Sequence, residues 1–171
     1  MSDKNITTYR GRFAPSPTGA LHFGSLIAAV GSYLEARSQK GVWLVRMEDI
    51  DPPREVAGAA DDILQTLEYF GFEWDEPVMF QSTRMDAYEQ ALQTLKEKEF
   101  VYACSCSRKE ISSAGKPGLE GTVYTGTCRN KEIAFKPDLA IRVKTRNNKI
   151  SFYDALQGKQ TCNLQKDIGD F

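Results

Sequence analysis

Over the first hundred positions the apolar residues keep two rhythms, and after Phe100 they fall into short irregular groups. Tyr9 to Ala14 carry β-favouring aromatics, and Pro15 and Pro17 stop any helix as the chain leaves that strand. Leu26, Ala29, Val30, Tyr33 and Leu34 then recur at helical spacing, with Gly41 placed to end the helix. Val42 to Met47 predicts a second strand, apolar enough to be buried on both faces. Val56, Ala60, Ile63, Leu64, Leu67 and Phe70 predict the inner face of a helix stopped by Gly71. Val78 to Phe80 is a short strand, and Ser82 or Thr83 is placed to cap a helix whose inner face is Tyr88, Leu92 and Leu95. This alternation implies a parallel sheet with right-handed crossovers, half of a nucleotide-binding α/β fold over residues 1–100. Further on, Ala140 to Lys144 and Ile150 to Asp154 read as strands paired around Arg146 to Lys149, and Asp167 to Phe171 as the start of another strand.

Composition narrows the partners. A hydrophobic share of 41% in 171 residues is enough for a real core. The net charge of −1 gives no global basic field, so any nucleic acid would have to be held by local patches. No apolar run reaches the ~18 residues of a membrane span, and the polar opening Met1 to Thr8 does not read as a signal peptide. The four cysteines cluster late, which favours a metal site in a cytoplasmic protein over disulfides. Cys104-Ser-Cys106 is too tight for an easy mutual disulfide but suits two thiolates on one metal, and Cys128 follows 22 residues after the second. The plain alternative is a set of structural thiols.

Two stretches carry candidate chemistry. Between the first strand and helix, Thr18-Gly19 supplies a bend and Gly24 permits close backbone approach. A helix N-terminus fed by such a turn offers free N–H groups and a positive dipole end to phosphate. By itself the turn also reads as an ordinary βα connection with a surface histidine. Glu48-Asp-Ile-Asp-Pro-Pro-Arg54 crowds charge at the carboxyl end of the second strand, where ligands of open α/β sheets bind. Neither a dinucleotide glycine fingerprint nor a Walker A lysine is present.

Arg12-Phe-Ala-Pro-Ser-Pro-Thr-Gly-x-Leu-His-x-Gly resembles the glutamate branch of class I aminoacyl-tRNA synthetases, with His22-Phe-Gly-Ser25 in the place of the HIGH motif. Ser25 replaces that motif's second histidine. Arg46-Met-Glu-Asp-Ile-Asp-Pro-Pro-Arg54 is similar to the branch's Arg-x-Glu-Asp-Thr-Asp block, and the departures match its glutamyl-Q tRNA(Asp) synthetases. The resemblance implies the first half of a class I Rossmann-like catalytic domain over 1–100, then a small zinc-containing α+β insertion over 101–171. It implies a catalytic turn of His22, Gly24 and Ser25, and a glutamate site built from Arg12, Phe13, Ala14, Pro15, Ser16 and Glu48. It implies one structural Zn2+ on Cys104, Cys106, Tyr124 and Cys128, with Cys162 the rival fourth ligand. A phenol of pKa ~10 ligates only once a cation depresses it.

The implied reaction activates L-glutamate with ATP and Mg2+ as glutamyl adenylate, then acylates queuosine in the anticodon of tRNA(Asp). The implied protein is an enzyme, a ligase, and a monomer when complete. Two alternatives stand beside it: a fragment of an ordinary glutamyl-tRNA synthetase charging the tRNA 3′ end, and a non-enzymatic zinc-stabilised RNA-binding module. No KMSKS-like Lys-x-Ser-Lys occurs, so the chain reads as truncated before the second catalytic half and is expected to show little glutamate-dependent pyrophosphate exchange alone.

Overall fold

A computed structural model describes residues 8–119 and 121–171. The chain divides into two compact units, Met1–Tyr88 and Glu89–Phe171. In the first, β1 (Arg10–Phe13), β2 (Val42–Met47) and β3 (Met79–Phe80) form a parallel sheet in the order β1-β2-β3. Helix α1 (Phe23–Ser38) joins β1 to β2, and α2 (Ala59–Tyr69) precedes β3. The alternating parallel arrangement expected from the apolar rhythm is therefore present.

The core forms around β2, whose Trp43, Val45 and Met47 point inward while Val42, Leu44 and Arg46 are only half-buried. The strand is thus sealed on one face, not on both as its apolar run predicts. Ile63 and Leu67 of α2 complete the core with Phe13, Phe72, Ala29 and Ala36. Trp43 lies in an aromatic box, stacked on Phe72 at 5.5 Å and met edge-on by Tyr33 at 5.1 Å. Its indole N–H donates to Ser32 Oγ at 2.9 Å, so the buried ring carries no unpaired polar atom.

The face that α1 turns to the sheet differs from the expected one. Ala29 and Ala36 are fully buried, whereas Val30 and Leu34 stand exposed. The cause is close approach: a Cβ on Gly11 of β1 would sit 3.0 Å from Ala36 Cβ and 3.1 Å from Ser32 O. Small residues against a glycine bring helix and strand together, and bulkier Val30 and Leu34 are displaced to the far side. Gly41 also serves proximity. A Cβ there would meet Tyr9 O at 2.3 Å, the oxygen that accepts the Val42 N–H at 2.9 Å. Gly41→Ala is expected to destabilise the chain by ~1–3 kcal/mol through forced separation of β1 and β2. The urea midpoint measures it, and an unchanged midpoint would show that the strands yield freely.

At the end of β3, Ser82 and Thr83 do not cap a helix. A 3₁₀ turn, Gln81–Arg84, leads into α3 (Met85–Glu97). Ser82 instead donates from N and Oγ to Asp49, and Thr83 Oγ1 donates to Phe80 O.

In the second unit β4 (Val101–Cys104) pairs antiparallel with a strand that follows much later, Ala140–Val143. Between them lie α4 (Arg108–Ala114), β5 (Lys116–Gly118) and β6 (Gly121–Val123), the last two paired antiparallel. Numbered in order, β7 is Ala140–Val143, β8 Lys149–Asp154 and β9 Gly158–Asn163. A capping box of Ser107 and Glu110 starts α4. The expected pairing of β7 with β8 is not formed: β8 pairs with β9. Asp154 Oδ1 accepts the N–H groups of Leu156 and Gln157 at 2.8 and 2.7 Å, and Gly158 has φ +75°, so the chain reverses there. Residues 164–168, expected in part as a strand, form one wide helical turn, and only Gly169 makes a bridge, to Tyr124.

The second unit's core is small: Tyr102, Cys104, Tyr124 and Cys128, with Cys106, Ile111 and Ile133 against it. Among the described residues no helix is long and apolar enough to cross a membrane.

Candidate functional site

Two constellations carry chemistry, one in each unit. In the first unit the chain leaves β1 through Pro15 and Pro17, and two backbone bonds fix its course. Pro15 O accepts the Glu48 N–H at 2.9 Å, and Pro17 O accepts that of Val56 at 2.9 Å. The turn is thereby anchored at the carboxyl end of β2. It encloses an open cavity of about 440 Å³ walled by Phe13 to Ser16 on one side and His22, Gly24 and Ser25 on the other.

His22 is the N-cap of α1. Its Nδ1 accepts the Ser25 N–H at 3.2 Å, and its Nε2 lies 3.1 Å from Ser25 Oγ. Ser25 thus holds the ring edge at both nitrogens. A Cβ on Gly24 would lie 3.0 Å from His22 Cε1, so the glycine makes room for the imidazole. The N–H groups of Phe23 and Gly24 have no acceptor among the described residues and open at the positive end of the helix.

Seven of the nine residues expected here, Phe13, Ala14, Pro15, Ser16, His22, Gly24 and Ser25, line this one cavity. Arg12 and Glu48 do not. Arg12 points outward from β1, exposed and without an ion pair among the described residues. Glu48 follows β2 and pairs with Arg46. The two sit at adjacent ends of parallel strands, with Phe13 in register with Val45. Sequence reasoning missed Arg46 and the Asp49–Ser82 link. Arg46 stood inside the quoted motif, so a charge within an otherwise apolar strand was a readable signal; nothing marked Ser82.

In the second unit the sulfurs of Cys104, Cys106 and Cys128 lie within 4.8 Å of one another. Cys106 and Cys128 are 3.5 Å apart. A tetrahedral ion with ~2.3 Å metal–sulfur bonds needs sulfurs about 3.8 Å apart, so the set fits such an ion. The Tyr124 hydroxyl closes it, 3.3 Å from Cys104 Sγ and 3.4 Å from Cys106 Sγ, and accepts the Cys128 N–H at 2.9 Å. Cys162 lies on β9, outside the cluster.

The protons are unevenly held. Burial works against a charged Cys128, yet hydrogen bonds from Tyr124, the Ser105 backbone and Cys106 bring its thiol down to about 6. Cys104 is also lowered, burial being outweighed by Tyr124 and Arg142. Tyr124 is raised well above its ordinary value, by burial first and then by its hydrogen bonds with Cys104, Cys106 and Cys128. Arg142, unmarked in the sequence, covers the Tyr124 ring at 4.1 Å and places a cation beside this anionic cluster.

Residues 8–170 match the family model for the catalytic domain of class I (E and Q) tRNA synthetases. The chain is 57% identical over 165 residues to a glutamyl-Q tRNA(Asp) synthetase of Dechloromonas aromatica, covering 95% of this chain and 55% of that protein. It is 56% identical over 163 residues to a protein of the same name from Chromobacterium violaceum. The chain spans about half the length of the curated relatives it matches. Among solved structures, a glutamate-tRNA synthetase of Elizabethkingia anophelis superposes with a TM-score of 0.75 at 27% identity, over 92% of this chain and 37% of that one. With a proline-rich turn delivering His22 to a helix N-terminus and a family match along nearly its whole length, this chain belongs to the class I (E and Q) tRNA synthetases.

Proposed function

We propose that the chain takes part in activating L-glutamate with ATP and in its transfer, as glutamyl adenylate, to queuosine in the anticodon of tRNA(Asp). The observation that carries this reading is the His22 turn: a capped helix N-terminus with two open N–H groups beside an open cavity of about 440 Å³. Relatives at 56–57% identity named for tRNA(Asp) support it over charging of a tRNA 3′ end.

In this reading ATP, with Mg2+, lies against the turn. A carboxylate oxygen of glutamate attacks the α-phosphorus as the bond to pyrophosphate breaks. The Phe23 and Gly24 N–H groups and His22 meet the charge that grows on the phosphate oxygens. Ser25 fixes the imidazole, so its direction is set before substrate arrives. Ser16 and neighbouring backbone hold the substrate. Arg12 offers a planar fork to a carboxylate, and Glu48 meets the α-ammonium once it exchanges Arg46 for substrate. No side chain is required as a covalent nucleophile.

For the second site we propose one Zn2+ on Cys104, Cys106, Cys128 and Tyr124, with a closed shell and a structural role. The ion supplies the charge that lets Tyr124 surrender its proton.

Calorimetry with glutamate in the presence of ATP tests the site. Arg12→Ala is expected to weaken glutamate by ~1.5–3 kcal/mol, the worth of a charge-assisted hydrogen bond. Unchanged affinity in both Arg12→Ala and Glu48→Gln would remove these two residues from the site.

A further inference from the structure

We propose that Cys106 and Cys128 are a site of oxidation by peroxides: the two sulfurs join in a disulfide that expels the metal and keeps the second unit folded. Loss of the ion rests on the zinc reading above; the sulfur chemistry does not.

The three thiols of the cluster are not equivalent. Cys104 and Cys128 are each 1% exposed, whereas Cys106 is half-buried. Cys106 borders an open cavity of about 280 Å³, with Ile111, Ala114, Tyr124 and Thr125 among its walls. It is therefore the thiol of the set that a small oxidant reaches from solvent. Behind it Cys128 Sγ lies 3.5 Å away, in van der Waals contact. A disulfide holds its sulfurs ~2.05 Å apart, so the pair closes with ~1.5 Å of side-chain movement. Cys104 is placed differently. It stands two residues before Cys106, too close in the chain for an easy bond to it, and its sealed sulfur faces the Tyr124 hydroxyl at 3.3 Å. Cys162 lies on β9, away from all three.

Both sulfurs are thiolates while the ion is held. Cys106 Sγ attacks one oxygen of hydrogen peroxide: an S–O bond forms, the O–O bond breaks, and the hydroxide released takes a solvent proton and leaves as water. Cys128 Sγ then attacks Cys106 Sγ. The S–S bond forms, the S–O bond breaks, and a second hydroxide leaves as water with another solvent proton. Two thiolates lose two electrons and the peroxide gains them. Cys104 and Tyr124 are then the remaining donors, two where a closed tetrahedral shell needs four, so the ion leaves. The new bond spans the same stretch that the ion spans. Cys106 and Cys128 are 22 positions apart, with α4, β5 and β6 between them. A cross-link over such a loop restrains the unfolded chain, so oxidation exchanges one staple for another.

The test mixes the whole zinc-loaded chain with a small molar excess of hydrogen peroxide and a chromogenic zinc chelator. Zinc release should approach one ion per chain, and titratable thiols should fall from four to two. The mass should drop by two hydrogens, and peptide mapping should join Cys106 to Cys128. Circular dichroism should stay unchanged, and dithiothreitol with added zinc should restore the starting state. Cys162→Ser should release zinc as the wild type does. Zinc retained with all four thiols intact overturns the proposal. So does a link that includes Cys104 or Cys162, sulfinic acid in place of a disulfide, or loss of the circular dichroism signal on oxidation. Untreated protein without zinc counts against the metal reading alone, because the link and the mass change are read with or without the ion.

Discussion

A Cys104→Ser chain is expected to bind no metal and to lose the folded structure of the second unit. Cys104 is 1% exposed at the end of β4, and the buried centre around it consists of two phenols and two thiols. Few apolar side chains would remain to hold β4, α4 and the β5–β6 hairpin together. Units of this size depend on a staple. A structural zinc contributes ~10–16 kcal/mol in small peptides, more than such a core supplies. Metal analysis should give one zinc per wild-type chain and none in the variant, with loss of amide protection confined to residues beyond about 100. X-ray absorption should find three sulfurs and one oxygen. Four sulfurs would bring Cys162 into the shell, and a variant that keeps both metal and fold would remove Cys104 from it.

Asp170→Asn is the second large effect, expected to cost ~3–5 kcal/mol, as for one member removed from a buried charge network. Asp170 is 4% exposed. Its Oδ1 accepts from Arg129 and from the N–H and hydroxyl of Thr145, and its Oδ2 accepts from Tyr102 at 2.8 Å. An amide would bring N–H donors against donors already in place. Burial pushes this carboxyl up, but the Thr145, Tyr102 and Arg129 contacts outweigh it and hold it below the ordinary range. A folded value below the unfolded one (~3.9) means the stabilisation is fully present above that pH. It is lost as pH falls through the folded value. Urea midpoints should lose nothing from this group between pH 7 and about pH 5, then fall as pH drops through about 4 and below for the wild type, and fall less for Asp170→Asn. A midpoint within ~1 kcal/mol of wild type at pH 7 would show the network to be redundant.

Legibility followed the range of the forces. Val42 to Met47 came out of the sequence with its observed limits, because a continuous apolar run marks a strand's extent, although it overstated the burial of one face. The cysteine cluster was readable because Cys104-Ser-Cys106 fixes two thiols locally, while Tyr124 entered through resemblance alone. The inner face of α1 was misread because bulk and burial part company where Gly11 lets Ala36 through. The β7–β8 pairing was misread because nothing local excluded it: β7 is claimed by β4, nearly forty residues earlier, and Thr145 is fixed by Asp170. At the His22 turn the lining residues were legible as one contiguous motif, whereas Arg46's hold on Glu48 depends on side-chain direction that no spacing encodes.

The aromatic box around Trp43 has an optical consequence. Both tryptophans, Trp43 and Trp74, belong to the first unit. Trp43 is wholly sealed, and its indole N–H is bound to Ser32 Oγ. Emission excited at the red edge therefore reports one unit alone, with sealed Trp43 supplying, beside half-buried Trp74, a blue-shifted share that reddens when this core opens. The other unit is dark at that wavelength and carries the thiols that a chromogenic disulfide reagent titrates. One cuvette can follow the two units on separate channels, with no label attached to either.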